Sequence, residues 1–286
     1  MKSLSAAFLF TLFFAAPVIA QDYTGTLQQI HESGEIRLGF REAEPPMSYA
    51  DENGQAIGYT VDICNEIVKA LSEKTGKQLK ATYVQVSAED RFNALIENRI
   101  DILCGSTTQT LARRELVDFT LFTFVTGASL MSLKSANLLD FPSLEGKKVG
   151  VVKNTTTIDR LRETMVKAQT TATVVELDSA RDALEKLRSG EIDAFSADQV
   201  VLIGMALGSD DVASLSISAG VFSFEPLALA VRRNDSEFRL VADRVIADLY
   251  RTERILPIYE KWMGRFSSNR PPVFDTLFQL NAIPEG

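Results

Sequence analysis

The chain has 286 residues, with 30 basic against 38 acidic side chains, a formal charge of −8, and 45% apolar residues. That acidic balance argues against a nucleic-acid partner, whose phosphates need a basic face, but not against a small anionic ligand held by local donors. One histidine and two distant cysteines exclude a zinc spacing and leave a histidine-dependent nucleophilic site without support, since His31 lies close to the expected mature N-terminus.

Residues 1–20 read as a secretory signal. Lys2 gives a positive start, an apolar run over 4–16 is too short to span a bilayer, and Val18-Ile19-Ala20 ends on the small residue expected before cleavage. The mature chain is expected to begin at Gln21, outside the cytoplasm, with a formal charge of −9 because Lys2 leaves and no acid does. No cysteine follows the cleavage point, so no lipid anchor is expected. No later run reaches the roughly 20 apolar residues of a membrane helix.

A strand is predicted over 36–40, with Arg41-Glu42 at its end and a Pro45-Pro46-Met47 loop beyond. Gly58-Tyr59-Thr60 opens a helix whose apolar positions Val61, Ile63, Cys64, Ile67, Val68 and Leu71 follow the helical period up to Gly76. A second strand follows over 82–86. Ser87 and Asp90 then imitate a capping box for a helix that buries Phe92, Leu95 and Ile96. The third strand, over 100–104, runs into Gly105-Ser106-Thr107-Thr108, and Arg113 returns seven residues after the serine. This is the pattern of a carboxylate cradle. Gly105 lets a ligand approach the backbone, the hydroxyls and N–H groups near Ser106 and Thr108 donate beside an expected helix N-terminus, and Arg113 adds a bidentate charge. The competing reading is that the hydroxyls only cap that helix and Arg113 is a solvated surface charge.

An apolar stretch over 119–131 includes a strand that leaves this first lobe, and a second set of alternating strands and helices begins. Strands are predicted over 148–152, 174–177 and 192–196, and helices over 158–166, 180–187 and 200–206. Asn154-Thr155-Thr156-Thr157 forms a second hydroxyl-rich turn and Asp198 ends the last strand. A strand over 222–231 returns to the first lobe. A helix over 237–250 carries the stripe Leu240, Val241, Val245, Ile246 and Leu249, and one over 254–263 places Ile255, Ile258, Tyr259 and Trp262 in the core. The tail after 267 is expected to wrap over the surface. Alternating strands and helices imply mostly parallel sheets flanked by helices, with ligands beyond the carboxyl ends of the strands and two lobes facing across a cleft.

Cys64 on a helix and Cys104 at a strand end can form one bridge in an oxidising compartment, or remain two buried thiols. There is no phosphate loop and no dinucleotide fingerprint. Pairs such as Asp210-Asp211 fall in polar loops, so a carboxylate-based hydrolase or lyase stays the minority alternative.

Gly39-Phe40-Arg41-Glu42, Gly58-Tyr59-Thr60-Val61-Asp62, Cys104-Gly105-Ser106-Thr107-Thr108 with Arg113, and Asp193-Ala194-Phe195-Ser196-Ala197-Asp198 resemble, in order, the extracellular solute-binding proteins of family 3. These are periplasmic receptors of polar amino-acid ABC transporters. The likeness is greatest to glutamate/aspartate-binding proteins. It implies a class II periplasmic-binding-protein fold: signal peptide 1–20, first lobe 21–128, second lobe 129–225, and a return with C-terminal tail over 226–286, with two hinge strands. It implies a monomer that serves a membrane permease, with no cofactor and no catalytic residue. Carried over, Thr108 and Arg113 hold the ligand's α-carboxylate with Thr155 and Thr156, Asp198 and Ser106 meet its ammonium, and Arg41 and Arg91 face an anionic side chain. The competing reading for those two arginines is a salt bridge to Glu42, Glu44 or Asp90.

Three positions depart from the glutamate/aspartate pattern. Ala88 stands where a serine is expected, Ala180 near an expected histidine, and Asn154 where a glycine precedes the threonines. The ligand implied is therefore glutamate, aspartate or a related acidic or amide amino acid. The family also resembles a periplasmic dehydratase acting on a cyclic carboxylate, for which Glu42 is the local candidate acid.

Overall fold

A computed structural model of the chain describes residues 23–266 and 270–286, so the expected signal segment lies outside the described residues. The first pass through lobe 1 comprises α1 (Gly25–Ser33), β1 (Glu35–Phe40), β2 (Ala43–Glu44), β3 (Ser48–Ala50), β4 (Ala56–Ile57) and α2 (Tyr59–Thr75). It continues with β5 (Lys80–Gln85), α3 (Arg91–Ile96), β6 (Ile102–Cys104) and β7 (Val117–Thr126). Lobe 2 holds β8 (Ala128–Leu133), β9 (Lys148–Val152), α4 (Thr156–Lys167), β10 (Thr173–Leu177), α5 (Ala180–Ser189), β11 (Ala194–Asp198), α6 (Gln199–Leu207) and β12 (Leu215–Ile217). The return consists of β13 (Glu225–Arg232), α7 (Ser236–Arg251), α8 (Ile255–Met263) and α9 (Pro272–Asn281).

Each lobe is built on a five-stranded sheet. The order in lobe 1 is β5-β1-β6-β13-β7, with only β13 running against the rest. Lobe 2 is ordered β10-β9-β11-β8-β12, with β8 the reversed strand. The sheets are thus mostly parallel, and helices cover them because both faces of such a sheet are apolar. Ile36 and Leu38 of β1 are buried, as are Ile63, Ile67 and Leu71 of α2, so the helical stripe read from the sequence is the face that packs on the sheet.

The chain crosses between lobes at Gly127 and again just before Glu225. The crossings are tied together: Ala128 N donates to Ser223 Oγ at 2.9 Å and Phe222 N to Ala128 O at 2.9 Å. Among the described residues no helix is long and apolar enough to cross a membrane.

Several local expectations change. No α-helix follows the cradle; residues after Cys104 form a loop that tightens only into a 3-10 turn at Arg113–Glu115. Ser87 Oγ accepts from Asp90 N at 3.1 Å, but the reciprocal half of the capping box is missing because the Asp90 carboxylate pairs with Arg99. Ile96 is exposed, and Ala94 with Leu95 forms the buried face of α3; Leu240 of the α7 stripe is exposed too. The C-terminal segment is no simple surface wrap. Pro272 sits in the first turn of α9, where a missing N–H costs nothing, and Phe274, Leu277 and Asn281 recur at helical spacing and are buried. Phe274 lies 4.7 Å from Phe124 of β7 and 5.2 Å from Tyr259 of α8, ring centre to ring centre.

Asp101, which opens the cradle motif, is fully buried. It accepts from Arg37 at 2.7 Å and Arg232 at 3.0 Å, so it anchors lobe 1. Cys64 of α2 and Cys104 at the end of β6 are joined in a disulfide with their Cα atoms 6.3 Å apart. The bridge pins the base of the cradle to α2. It closes a loop of 40 residues, for which restricting the unfolded chain corresponds to about 3–4 kcal/mol. Urea unfolding should therefore shift to lower midpoint by that stability when the protein is reduced, and a Cys64→Ala/Cys104→Ala double variant should show no further response to reductant.

Candidate ligand-binding site

The loops that follow β1, β6, β9 and β11 meet between the lobes around one pocket. Lobe 1 contributes Arg41, Arg91, Ser106, Thr108 and Arg113; lobe 2 contributes Thr155, Thr156 and Asp198. All eight residues singled out in the sequence line this pocket. They come together because the carboxyl ends of parallel strands in both lobes point at the same gap.

The grip of lobe 1 is arranged by short-range contacts. Arg113 Nη1 donates to Thr108 O at 2.7 Å, and its backbone N–H donates to Thr110 Oγ1 at 3.1 Å, which folds the loop back so that the guanidinium faces the cleft. Gly105 makes room for a side chain rather than for a ligand: a Cβ there would lie 2.9 Å from Cγ of Arg41. Helix starts from both lobes line the pocket: Arg91 opens α3, Ala180 opens α5 and Asp198 precedes α6. The one beside Thr108 is that of α4, whose first residues Thr156 and Thr157 line the cavity, and its unpaired N–H groups favour negative charge there.

Lobe contacts surround the pocket. Arg91 Nη2 donates to Asn154 O at 3.0 Å, and the hydroxyls of Thr108 and Thr156 are 3.3 Å apart. Outside it, Lys153 pairs with Glu89 at 2.7 Å and Arg181 with Glu42 at 3.2 Å. Gly204 of α6 packs directly on the Pro45 carbonyl, where a Cβ would come within 2.2 Å of the oxygen. Asn154 has φ 59°, the left-handed region that glycine and asparagine tolerate best. The asparagine therefore keeps the turn that a glycine would make.

Three groups at the site were not among the singled-out ligand residues: Glu44, which lines the pocket, and Glu225 and Phe92, which lie behind residues that do. Glu44 enters the sequence reading only as a salt-bridge partner for Arg41 or Arg91; its Oε1 lies 2.8 Å from Arg41 Nη1, and its Oε2 accepts from Ser106 Oγ at 2.6 Å. Glu225 is buried at the second crossing, accepting from Thr156 Oγ1 at 2.9 Å and Ser223 Oγ at 2.7 Å. An acid inside the apolar run of the returning strand was its only sequence signal. Phe92, counted as core, lies under both arginines, 4.5 Å from the Arg91 guanidinium and 5.5 Å from that of Arg113. The Thr155 hydroxyl turns inward to Val152 O at 2.7 Å.

Arg91 is only 3% exposed, and its Nε and Nη1 have no hydrogen-bond partner among the described residues. Burial, then the neighbouring charges of Arg41 and Arg113, disfavour its cation, while Glu44 supports it. Arg113 is likewise disfavoured by burial and sustained by Glu225 and Asp198. Burial pushes the Asp198 carboxyl well above the usual carboxylate range, helped by Glu225 and Glu44 and opposed by Arg113. Chemically, the pocket offers an unpaired cation at one side, a second cation beside hydroxyls and a helix N-terminus, and a carboxylate opposite. Those are the complements of a zwitterion that carries a further acceptor group.

Residues 36–265 match the family model of bacterial extracellular solute-binding proteins, family 3. An L-glutamate/L-aspartate-binding protein of Pseudomonas aeruginosa is 32% identical over 272 residues, covering 94% of this chain and 89% of the relative. A glutamate/aspartate import solute-binding protein of Salmonella typhimurium is 30% identical, covering 86% of this chain and 81% of its own length. Among solved structures, an ancestral arginine-binding protein bound to arginine superposes with a TM-score of 0.71 at 28% identity, over 81% of this chain and 99% of that one.

The raised Asp198 carboxyl makes a testable signature. The folded state binds its proton more tightly than the unfolded chain, so this group costs stability fully above its folded value and not at all below its ordinary one. Asp198→Asn should therefore melt at a higher temperature than the wild type at pH 8, with the gap narrowing as pH falls toward 4, as followed by circular dichroism.

Proposed function

The chain belongs to the bacterial extracellular solute-binding proteins, family 3, and from that premise we propose that it is the periplasmic receptor of an ABC transporter for an acidic amino acid, glutamate or aspartate. Arg91 carries this reading. A buried guanidinium with two unpaired donor nitrogens is costly unless an anion meets it, and a side-chain carboxylate does so with charge-assisted bonds.

Arg113, with the Thr108 and Thr156 hydroxyls and the backbone at Thr155, receives the α-carboxylate. Asp198 receives the ammonium, and Ser106, which donates its proton to Glu44, accepts from the ammonium through a free lone pair. Arg91 receives the side chain, with Arg41 beside it. Because these groups come from both lobes, a ligand is fully coordinated only when the lobes meet, so it draws the equilibrium toward closure about the crossings at Gly127 and Glu225. A monomer secreted through the signal at residues 1–20 would then present the closed form to a permease in the inner membrane.

The dehydratase alternative needs an acid at the ligand. Glu42, its candidate, is engaged by Arg181 at 3.2 Å and does not line the pocket; of the acids that do, Glu44 is held by Arg41 and Ser106 and Asp198 is the partner for the ammonium, which supports reading the site as one for binding rather than turnover.

Titration calorimetry with the twenty amino acids tests the assignment. Glutamate or aspartate should bind, Arg113→Ala should abolish binding, and Arg91→Ala should weaken the acidic ligand by about 3 kcal/mol, roughly a hundredfold. Arg41→Ala should relax the preference toward glutamine or asparagine. Tight binding of a basic or purely apolar amino acid, with no heat from either dicarboxylate, would sink the acidic assignment.

A further inference from the structure

The polar groups at the Arg41 end of the pocket do not sum to a plain anion site. Glu44 is fixed there by its backbone: β2 pairs with β3 through Glu44 and Ser48, and Met47 N donates to Glu44 O at 2.8 Å. Its carboxylate is 14% exposed and already engages Arg41 at 2.8 Å and Ser106 at 2.6 Å. All three residues belong to lobe 1, so this pair is set before the second lobe contributes anything. Arg41 is thereby occupied, and the guanidinium with buried donors left unpartnered among the described residues is Arg91. Ala88 and Ala180, both buried, add only methyl groups to the walls shared with Arg41 and Glu44.

We propose that Glu44 sets the choice between a carboxylate and a carboxamide at the end of the ligand side chain, so that glutamine or asparagine is admitted along with glutamate or aspartate. The inference rests on the reading above that Arg91 receives the side chain. A ligand carboxylate accepts from Arg91 but confronts the Glu44 carboxylate as a like charge. A carboxamide gives its oxygen to Arg91 and an N–H to a free lone pair of Glu44, so both pocket groups are satisfied. Glu44 also bears on the ammonium end, since it is one of the charges that raise the Asp198 carboxyl. It is a specificity-determining residue placed against the arginine that would otherwise demand an acid.

The test is the ratio of dissociation constants, amide over acid, measured by calorimetry for the glutamine/glutamate and asparagine/aspartate pairs. Glu44→Gln preserves shape, its amide oxygen still accepting from Arg41 while its N–H donates to a rotated Ser106 hydroxyl, so it should raise that ratio at least tenfold, with tighter acid binding and weaker amide binding. Glu44→Ala carries the same expectation should the glutamine variant fail to melt cooperatively. A ratio unchanged within twofold in a folded variant, both affinities moving together, would mean that Glu44 only braces Arg41 and would overturn the inference alone. So would a wild type that binds either acid but rejects both amides by more than a thousandfold. A wild type that binds none of the four would overturn the acidic reading itself.

Discussion

Three guanidiniums converge on one cleft, and the arrangement of the site follows from what keeps them there. Arg41 and Arg113 both make the Arg91 cation harder to hold, on top of its burial. Each of the three is answered differently: Arg41 by the Glu44 carboxylate, Arg113 by the Thr108 carbonyl together with the field of Glu225 and Asp198, and Arg91 by one carbonyl of the opposite lobe and the face of Phe92. Arg91 is thus the least satisfied of the set. Its position at the start of α3, with the one hydrogen bond its side chain makes among the described residues reaching across to Asn154, makes it sensitive both to what occupies the pocket and to how the lobes meet.

The site is also joined to the crossings by hydrogen bonds. Thr108 of lobe 1 contacts Thr156 of lobe 2; Thr156 donates to Glu225, Glu225 accepts from Ser223, and Ser223 accepts from Ala128 N. Glu225 is 1% exposed and sits where the chain re-enters lobe 1. A buried carboxylate is tolerable there because hydroxyls on two sides donate to it. The same hydroxyl that faces the pocket therefore also reports on the geometry of the crossing segments.

Much of this architecture was legible in the residues. The period of α2 and the apolar runs of β1 and β9 are local signals, and the order of alternating elements brings the strand ends together whatever the side chains are. Ser106, Thr108 and Arg113 were readable as a cradle at the end of a strand, and Asp198 joined them through the family resemblance. What escaped depends on approach through space. The pairing of Arg41 with Glu44 was one of the competing readings, but no local pattern shows that Glu44 also turns onto Ser106, 62 positions away, or that Glu225 faces α4. The helix expected after the cradle failed because Thr108 bridges to Leu227 and Gln109 N donates to Pro226 O, drawing the loop onto β13 in place of a helical turn. The tail was misjudged because its prolines read as breakers, when Pro272 begins α9.

The contact of Gly204 with the Pro45 carbonyl has a mechanical meaning. Where a bare Cα meets a backbone oxygen, with no side chain to yield, the two lobes have reached a rigid stop. The depth of the enclosed space is then a property of the protein and not of its cargo. A molecule shorter than the space gains no tighter embrace by drawing the walls inward, and water must complete the contacts it leaves unmade. The limit on approach is in this way set at a point on α6, outside the residues that line the pocket.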